Sequence, residues 1–222
     1  MKIAAVMPAF NEEKVIGQVL LKLKSHVDQI IVVDDGSRDR TSQIAKDHGA
    51  TVYRHPINRG LGGALGTGIK AALLNGADVI ITVDADGQHD PEEISAMIKP
   101  ILDGQADVAI GSRFLIKQSM PLFRRTGIPF FNLVAFILFG IRSTDSLSGM
   151  RAFSKKAAQS LKIRASGMEA SLEILKESRA LGLKMKEVPI KAIYTEYSTS
   201  KGLKFLPGLK FLIKVFASKL IN

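Results

Sequence analysis

The chain contains no cysteine, which removes disulfide frameworks, thiolate nucleophiles and every Cys-ligated zinc or iron–sulfur site from consideration. Tryptophan is absent as well, and there are only three tyrosines. Proteins that grip nucleic acid strands stack bases on aromatic side chains interleaved with basic ones. That interleaving is missing here, so the formal charge of +10 does not make the chain a nucleic-acid binder. Long apolar runs are also missing. A bilayer span needs roughly 18 to 20 apolar residues, whereas the longest candidate, 128–141, is 14 residues interrupted by Pro129, Asn132 and Gly140. The opening MKIAAVMPAFNEE reads as a strand closed by Pro8 and two acids, not as a secretion signal.

What is present is ordinary for a folded protein: 222 residues, 46% hydrophobic and 23% charged, enough for one compact core with an appendage. The charge is unevenly placed. Residues 1–110 carry 11 basic and 15 acidic side chains, a net −4, while residues 111–222 carry 20 basic and 6 acidic, a net +14. A basic half attracts phosphates, whether on nucleic acid, on a lipid surface or on a small diphosphate. Only motifs can choose among them.

Short β-branched runs at 3–7, 29–34, 51–54, 79–84 and 108–112 predict strands, and amphipathic stretches at 12–24, 41–48, 61–75 and 91–102 predict helices. Near-continuous apolar strands alternating with helices imply an α/β fold, a doubly wound, mostly parallel sheet with helices on both faces. Such sheets bind ligands beyond the carboxyl ends of their strands. Here PAFNEE, DDGSRDRT, DADGQHD and GSR stand at four of those ends, so one site is expected.

The glycine-rich run Gly60 to Gly68 lacks the last glycine of a dinucleotide fingerprint, since Leu65 stands there, and no Gly-Lys-Ser/Thr follows. Close helix packing and close ligand approach both suit it. Asp84 and Asp86 carry more information. Two carboxylates at i and i+2 leaving an apolar strand point the same way and repel unless a cation lies between them. With the amide oxygen of Gln88 they make part of a shell for Mg2+ or Mn2+, hard ions that keep waters and bind diphosphates. A solvated acidic turn is the plainer alternative, and Asp90 before Pro91 suits a helix cap. Asp34 and Asp35 form a second acidic pair. Capping at Asp39 or Thr41 accounts for the turn 36–41 but not for Asp35, which suits a ring N–H or a ribose hydroxyl. The four histidines form no catalytic pair, and His89 beside the acidic turn suits a hydrogen-bonded loop residue.

These motifs, with the later DSLSGMRAF, resemble in order and spacing the inverting family 2 glycosyltransferases of the GT-A fold, and among them the polyprenyl-phosphate and dolichyl-phosphate mannosyl- and glucosyltransferases. The resemblance covers about residues 3–195. It implies a GDP- or UDP-hexose donor with Pro8, Ala9, Glu12, Asp35, Asp84 and Ala85 around the nucleotide. It also implies a metal on Asp84, Asp86 and Gln88, catalytic roles for Asp86 and Arg113, and an acceptor phosphate held by Arg113, Arg124, Arg125 and Lys201. One departure concerns the donor. Mannosyl enzymes carry an Arg six positions before a Ser-Lys pair, and here Thr195 precedes Ser200-Lys201, which weakens mannose and GDP.

An acceptor phosphate is already ionised near neutral pH and needs no general base, in keeping with the missing catalytic histidine. The expected product is a hexosyl polyprenyl phosphate. A soluble or cell-wall saccharide acceptor is the alternative, and it would need a carboxylate such as Glu169. Residues 126–141, with Phe130, Phe131, Phe136 and Phe139, suit either a headgroup-level helix or a core helix. A GT-A domain is expected over 1–197. Residues 198–222, with five Lys and no acid, form a basic amphipathic helical tail suited to an anionic bilayer or to a partner's groove. The chain is thus expected to lie peripherally on the cytoplasmic face of a membrane, and a homo-oligomer stays open.

Overall fold

The computed structural model describes residues 1–195 and 197; the basic tail and Lys201 lie outside the described residues. The chain runs β1 (Ile3–Ala9), α1 (Ile16–Leu23), β2 (Gln29–Asp34), α2 (Thr41–Asp47), β3 (Thr51–Arg54), α3 (Gly60–Leu74) and β4 (Val79–Thr82). It continues through a 3-10 turn (Pro91–Glu93), α4 (Ile94–Leu102), β5 (Val108–Ser112), α5 (Leu122–Phe139), β6 (Arg151–Ser154), α6 (Lys155–Ser160), α7 (Ala170–Ala180) and β7 (Met185–Pro189). The seven strands form one sheet in the order β3-β2-β1-β4-β6-β5-β7. All pairings are parallel except those of β6, which runs antiparallel to β4 and β5.

Strand alternation divides the core between the two faces. Ala4 and Val6 of β1, with Ile31 and Val33 of β2, face the cluster under α3, α5, α6 and α7. Ala5 and Met7, with Val32, face the cluster under α1 and α4, where Ile16, Leu20, Ile94 and Met97 are buried. Both faces are covered, which is why the strands read as continuous apolar runs.

The structure settles the choice left open by the glycines of α3. A Cβ on Gly62 would lie 1.7 Å from the Ala165 carbonyl oxygen, and one on Gly68 would lie 2.3 Å from Val6 Cγ1. Gly62 N donates to Ser166 O at 2.9 Å. These glycines let the helix pack tightly against β1 and against the loop before α7. Element ends shift by a few residues. The first helix starts at Ile16, not at residue 12, because residues 12–15 form a turn onto Glu12 O, and Asp90 caps the 3-10 turn through Glu92 N at 3.2 Å.

The apolar stretch in the second half is a helix with two apolar faces. Ile128, Phe131 and Ala135 of α5 are buried, while Phe130, Leu133, Phe136 and Ile137 are exposed. The core-helix reading therefore describes one face, and the other face is apolar and exposed.

Candidate active site

β1, β2 and β4 end side by side, and the first acidic pair sits at the end of β2. Asp34 is fully buried. Its Oδ1 accepts from Ser37 N at 2.8 Å, its Oδ2 accepts from the Ser42 hydroxyl, and Arg54 Nε lies 3.6 Å away. Asp35 is buried as well. Its Oδ1 accepts from Arg59 N at 2.8 Å and from His55 Nδ1 at 2.7 Å, and its Oδ2 accepts from Gly60 N at 2.7 Å. Those backbone groups open α3, so the carboxylate caps that helix where its N–H groups lack intrahelical partners. The carboxylate that the sequence analysis set against a nucleoside thus has its oxygens occupied by the protein. His55 Nε2 completes the chain at 2.9 Å from Thr67 Oγ1.

Pro8 and Ala9 end β1 beside this pair, and Asp35 N donates to Ala9 O at 2.8 Å. Glu12 follows. Its backbone N–H donates to Thr41 Oγ1 at 2.8 Å, and its carboxylate accepts from the Tyr197 hydroxyl at 2.7 Å.

The second acidic pair follows β4 and is arranged differently. Asp84 N donates to His89 Nδ1 at 3.0 Å. A neutral His89 with Nδ1 accepting carries its proton on Nε2, which faces Asp84 Oδ2 at 3.6 Å. Among the described residues no closer hydrogen-bond donor reaches the Asp84 carboxylate, and its side chain is 39% exposed. Beneath it lies Gly149, where a Cβ would stand 2.3 Å from Asp84 Oδ2. The loop before β6 is thus shaped to receive that carboxylate. Asp86 accepts from Gln88 N at 3.0 Å and from the Gln88 side-chain amide. Burial, and then the charge of Asp84, hold its carboxyl above the usual range. Ala85, between the two acids, is buried.

Gln88 is also met from the other side. Its amide oxygen, assigned to a metal in the sequence analysis, accepts from Arg124 Nη1. The Arg124 guanidinium lies 5.3 Å from the centroid of the Tyr194 ring. Arg125, one residue on, is exposed and lines an open pocket of about 620 Å3 with Arg113, Phe114, Ile116, Lys117, Gln118, Ser119 and Met120.

Arg113 does reach this region, but its fork is engaged. Nε and Nη2 donate to the two oxygens of the fully buried Asp145 at 2.6 and 2.7 Å, a bidentate pairing that holds the strand end against the loop before β6. Two residues of DSLSGMRAF, Asp145 and Gly149, therefore shape the site, and Arg151 of the same run opens β6. The available signal was a run of polar and small residues between an apolar helix and an apolar strand, where burial demands a partner for each charge. Glu169 accepts from Gly167 N at 3.1 Å and sits before α7, on the loop packed against α3.

The family model for glycosyl transferase family 2 matches residues 4–162. An uncharacterised protein of Methanocaldococcus jannaschii is 49% identical over 99% of this chain and 93% of its own length. The UDP-N-acetylglucosamine–dolichyl-phosphate N-acetylglucosaminyltransferase of Methanococcus voltae is 38% identical over 97% of this chain and 95% of its own. Among solved structures, the glucosyl-3-phosphoglycerate synthase of Mycobacterium tuberculosis, in complex with Mn2+ and UDP-glucose, superposes with a TM-score of 0.76. The match covers 98% of this chain and 78% of that one at 23% identity, which establishes the shared GT-A fold.

Proposed function

The chain belongs to glycosyl transferase family 2, and we propose that it moves one sugar from a nucleoside diphosphate to a polyprenyl or dolichyl phosphate, with inversion at the anomeric carbon. The observation that carries this reading is the chain of contacts from Asp86 through Gln88 to Arg124. It joins the carboxylate pair after β4 to Arg124 at the start of α5, the residue before Arg125, which lines the basic pocket. An acceptor phosphate finds opposite charge on the basic side of that chain, and a donor diphosphate would find it on the carboxylate side through a cation held there.

Asp84 and Asp86 suit a divalent cation. They stand two residues apart, burial and then the charge of Asp84 lift the Asp86 carboxyl, and among the described residues the Asp84 carboxylate has His89 at 3.6 Å. Among the described residues no group of three or more acidic or His side chains is placed to hold an ion by itself, so the remaining ligands would be diphosphate oxygens and water, as Mg2+ and Mn2+ accept. Such an ion supplies charge neutralisation to the leaving diphosphate. The end of β1 at Pro8 and Ala9, with Glu12 after it, takes the nucleoside, and Asp35 shapes that region by holding the start of α3. Lys117 and Arg125 offer cations to the acceptor phosphate. An acceptor oxygen then attacks the anomeric carbon, the bond to the diphosphate breaks, and positioning with charge stabilisation does most of the work.

The relative from Methanococcus voltae acts on a UDP-sugar and a dolichyl phosphate. Together with Thr195 at the usual Arg position, this favours a uridine donor and extends the candidate sugars to an N-acetylhexosamine. No helix among the described residues is long and apolar enough to cross a membrane. The exposed Phe130, Leu133, Phe136 and Ile137 face of α5, flanked by Arg125, suits shallow burial at a cytoplasmic membrane surface.

The test is transfer from a panel of UDP- and GDP-sugars to a short polyprenyl phosphate with Mn2+, read by product mass. Lipid phosphate plus one sugar is expected with a UDP donor. Transfer to a free saccharide but not to the lipid phosphate would overturn the reading.

A further inference from the structure

Arg151 is the first residue of β6 and is 2% exposed. A guanidinium removed from water ordinarily faces a carboxylate with which it shares hydrogen bonds. This one does not. Nη2 donates to Ser146 O at 2.8 Å, and among the described residues Nε meets no acceptor. The carboxylate whose charge acts on it most, that of Asp145, is already clasped by Arg113. Asp84 acts on it next. Arg151 is wedged into the ladder that carries this acid: it pairs across the strands with Thr82, two residues before Asp84. The Thr82 hydroxyl accepts from Arg151 N at 3.2 Å and donates to Gly149 O at 2.6 Å. Burial pulls the guanidinium pKa down to about 10, partly offset by Asp145 and then Asp84, so it remains a cation at neutral pH.

The geometry points to Arg151 as a positioning residue of the donor site, a fixed cation that balances Asp84 and its neighbours while no metal lies between the paired carboxylates. With all groups ionised, Asp84, Asp86 and Asp145 against Arg113 and Arg151 leave a net −1, and without Arg151 the same group carries −2. Hydrogen bonding does not account for a buried guanidinium with one bond and an unpartnered Nε. Its field does, because attraction between unit charges grows as the medium becomes less polar. The consequence is a trade. Arg151 stabilises the metal-free loop and opposes the cation, which keeps metal binding from becoming too tight for release of the diphosphate product.

This inference rests on the metal reading of Asp84 and Asp86, and its test separates the two. Mn2+ binding is measured by the loss of the free-ion EPR signal, and thermal melting is followed with and without Mn2+ plus UDP. Arg151→Met is expected to melt lower than wild type without metal, to bind Mn2+ about tenfold tighter, and to recover most of its lost melting temperature when Mn2+ and UDP are added. Arg151→Lys, which keeps the charge, is expected to bind Mn2+ as wild type does. A packing role alone predicts a melting loss that Mn2+ leaves unchanged, and equal Mn2+ affinity in wild type and Arg151→Met would overturn the inference. If wild type itself binds no Mn2+, the metal reading falls and this inference falls with it. Should Arg151→Met not fold, Asp84→Asn/Arg151→Met is expected to fold, because the charge to be balanced is gone. A double variant no more stable than the single one also overturns the inference.

Discussion

Two acidic pairs stand at neighbouring strand ends of one sheet and are treated in opposite ways. Asp34 and Asp35 are sunk among donors: the Ser42 hydroxyl, the Ser37, Arg59 and Gly60 backbone N–H groups, and the His55 ring all point at them. Asp84 and Asp86 are left short, with Asp84 partly open to solvent over Gly149 and Asp86 held above its ordinary pKa. The same residue type at the same kind of position thus does two jobs. A carboxylate that receives several N–H bonds is already satisfied and organises backbone, whereas one that repels its neighbour stores an unmet demand for positive charge. If this contrast is right, substitutions at the two pairs should separate stability from activity.

The largest effect is expected at Asp86. Asp86→Asn removes one carboxylate from the metal pair and relieves its repulsion with Asp84, so the fold should be retained while transfer falls by about a thousandfold, or ~4 kcal/mol of transition-state stabilisation. Circular dichroism melting alongside turnover checks both halves. A variant with full turnover, or a wild type that works in excess chelator, would end the metal assignment.

Asp35 should show the reverse. Asp35→Ala strands two backbone N–H groups and the His55 Nδ1–H in a buried setting, and at about 1–3 kcal/mol for each unsatisfied donor, partly relieved by rearrangement, the expected loss is about 3 kcal/mol in denaturant unfolding. Asp35→Asn, which keeps one acceptor oxygen, should lose less. Should Asp35→Ala unfold at the wild-type denaturant concentration yet fail to bind UDP, the contrast breaks, because Asp35 would then be a ligand group after all.

The contrast also explains what the sequence did and did not disclose. The β1 to β4 region was legible because β1, β2 and β4 are apolar runs followed by acids, and the helices between them have apolar faces. β6 was not, since RAFS is four residues long and opens with a buried arginine, and its antiparallel place between β4 and β5 depends on partners far away in the chain. Strand-end carboxylates could be located from sequence, but not sorted. Asp35 looks like a ligand-facing acid until α3 folds onto it. Arg113 likewise looks like a free phosphate fork until Asp145, 32 residues later, closes it. Local pattern shows where a charge sits, while the identity of its partner is decided by the fold.

A smaller effect is expected from Gly149→Ala. The added methyl would stand 2.3 Å from Asp84 Oδ2, and the carboxylate, partly exposed, can swing away instead of straining the core. Stability should change little, while misplacing one metal-holding oxygen should cost about 1–2 kcal/mol, roughly tenfold in kcat. Weaker Mn2+ binding in the same variant would tie the loss to Asp84. A stability loss with normal Mn2+ binding would instead make Gly149 a packing residue like Gly62.

The smallest effect is expected at Thr67, the outer end of the satisfied pair. Its hydroxyl lies 2.9 Å from His55 Nε2, and the His55 ring gives Nδ1–H to Asp35 at 2.7 Å. Because the carboxylate only accepts, the ring must donate at Nδ1. The neutral ring therefore accepts from Thr67 at Nε2, while a protonated ring would donate to the same hydroxyl, which can turn to suit either. Thr67→Val keeps the shape and removes that partner, at an expected cost of about 1 kcal/mol of stability. The Asp35 bonds to Arg59 N and Gly60 N remain, so UDP affinity and turnover should match wild type. A stability change of that size with unchanged transfer would place the whole Thr67–His55–Asp35 chain on the structural side of the contrast. A fall in UDP affinity without a stability change would show instead that the chain reaches the nucleoside, and that satisfied carboxylates at these strand ends can still serve the ligand.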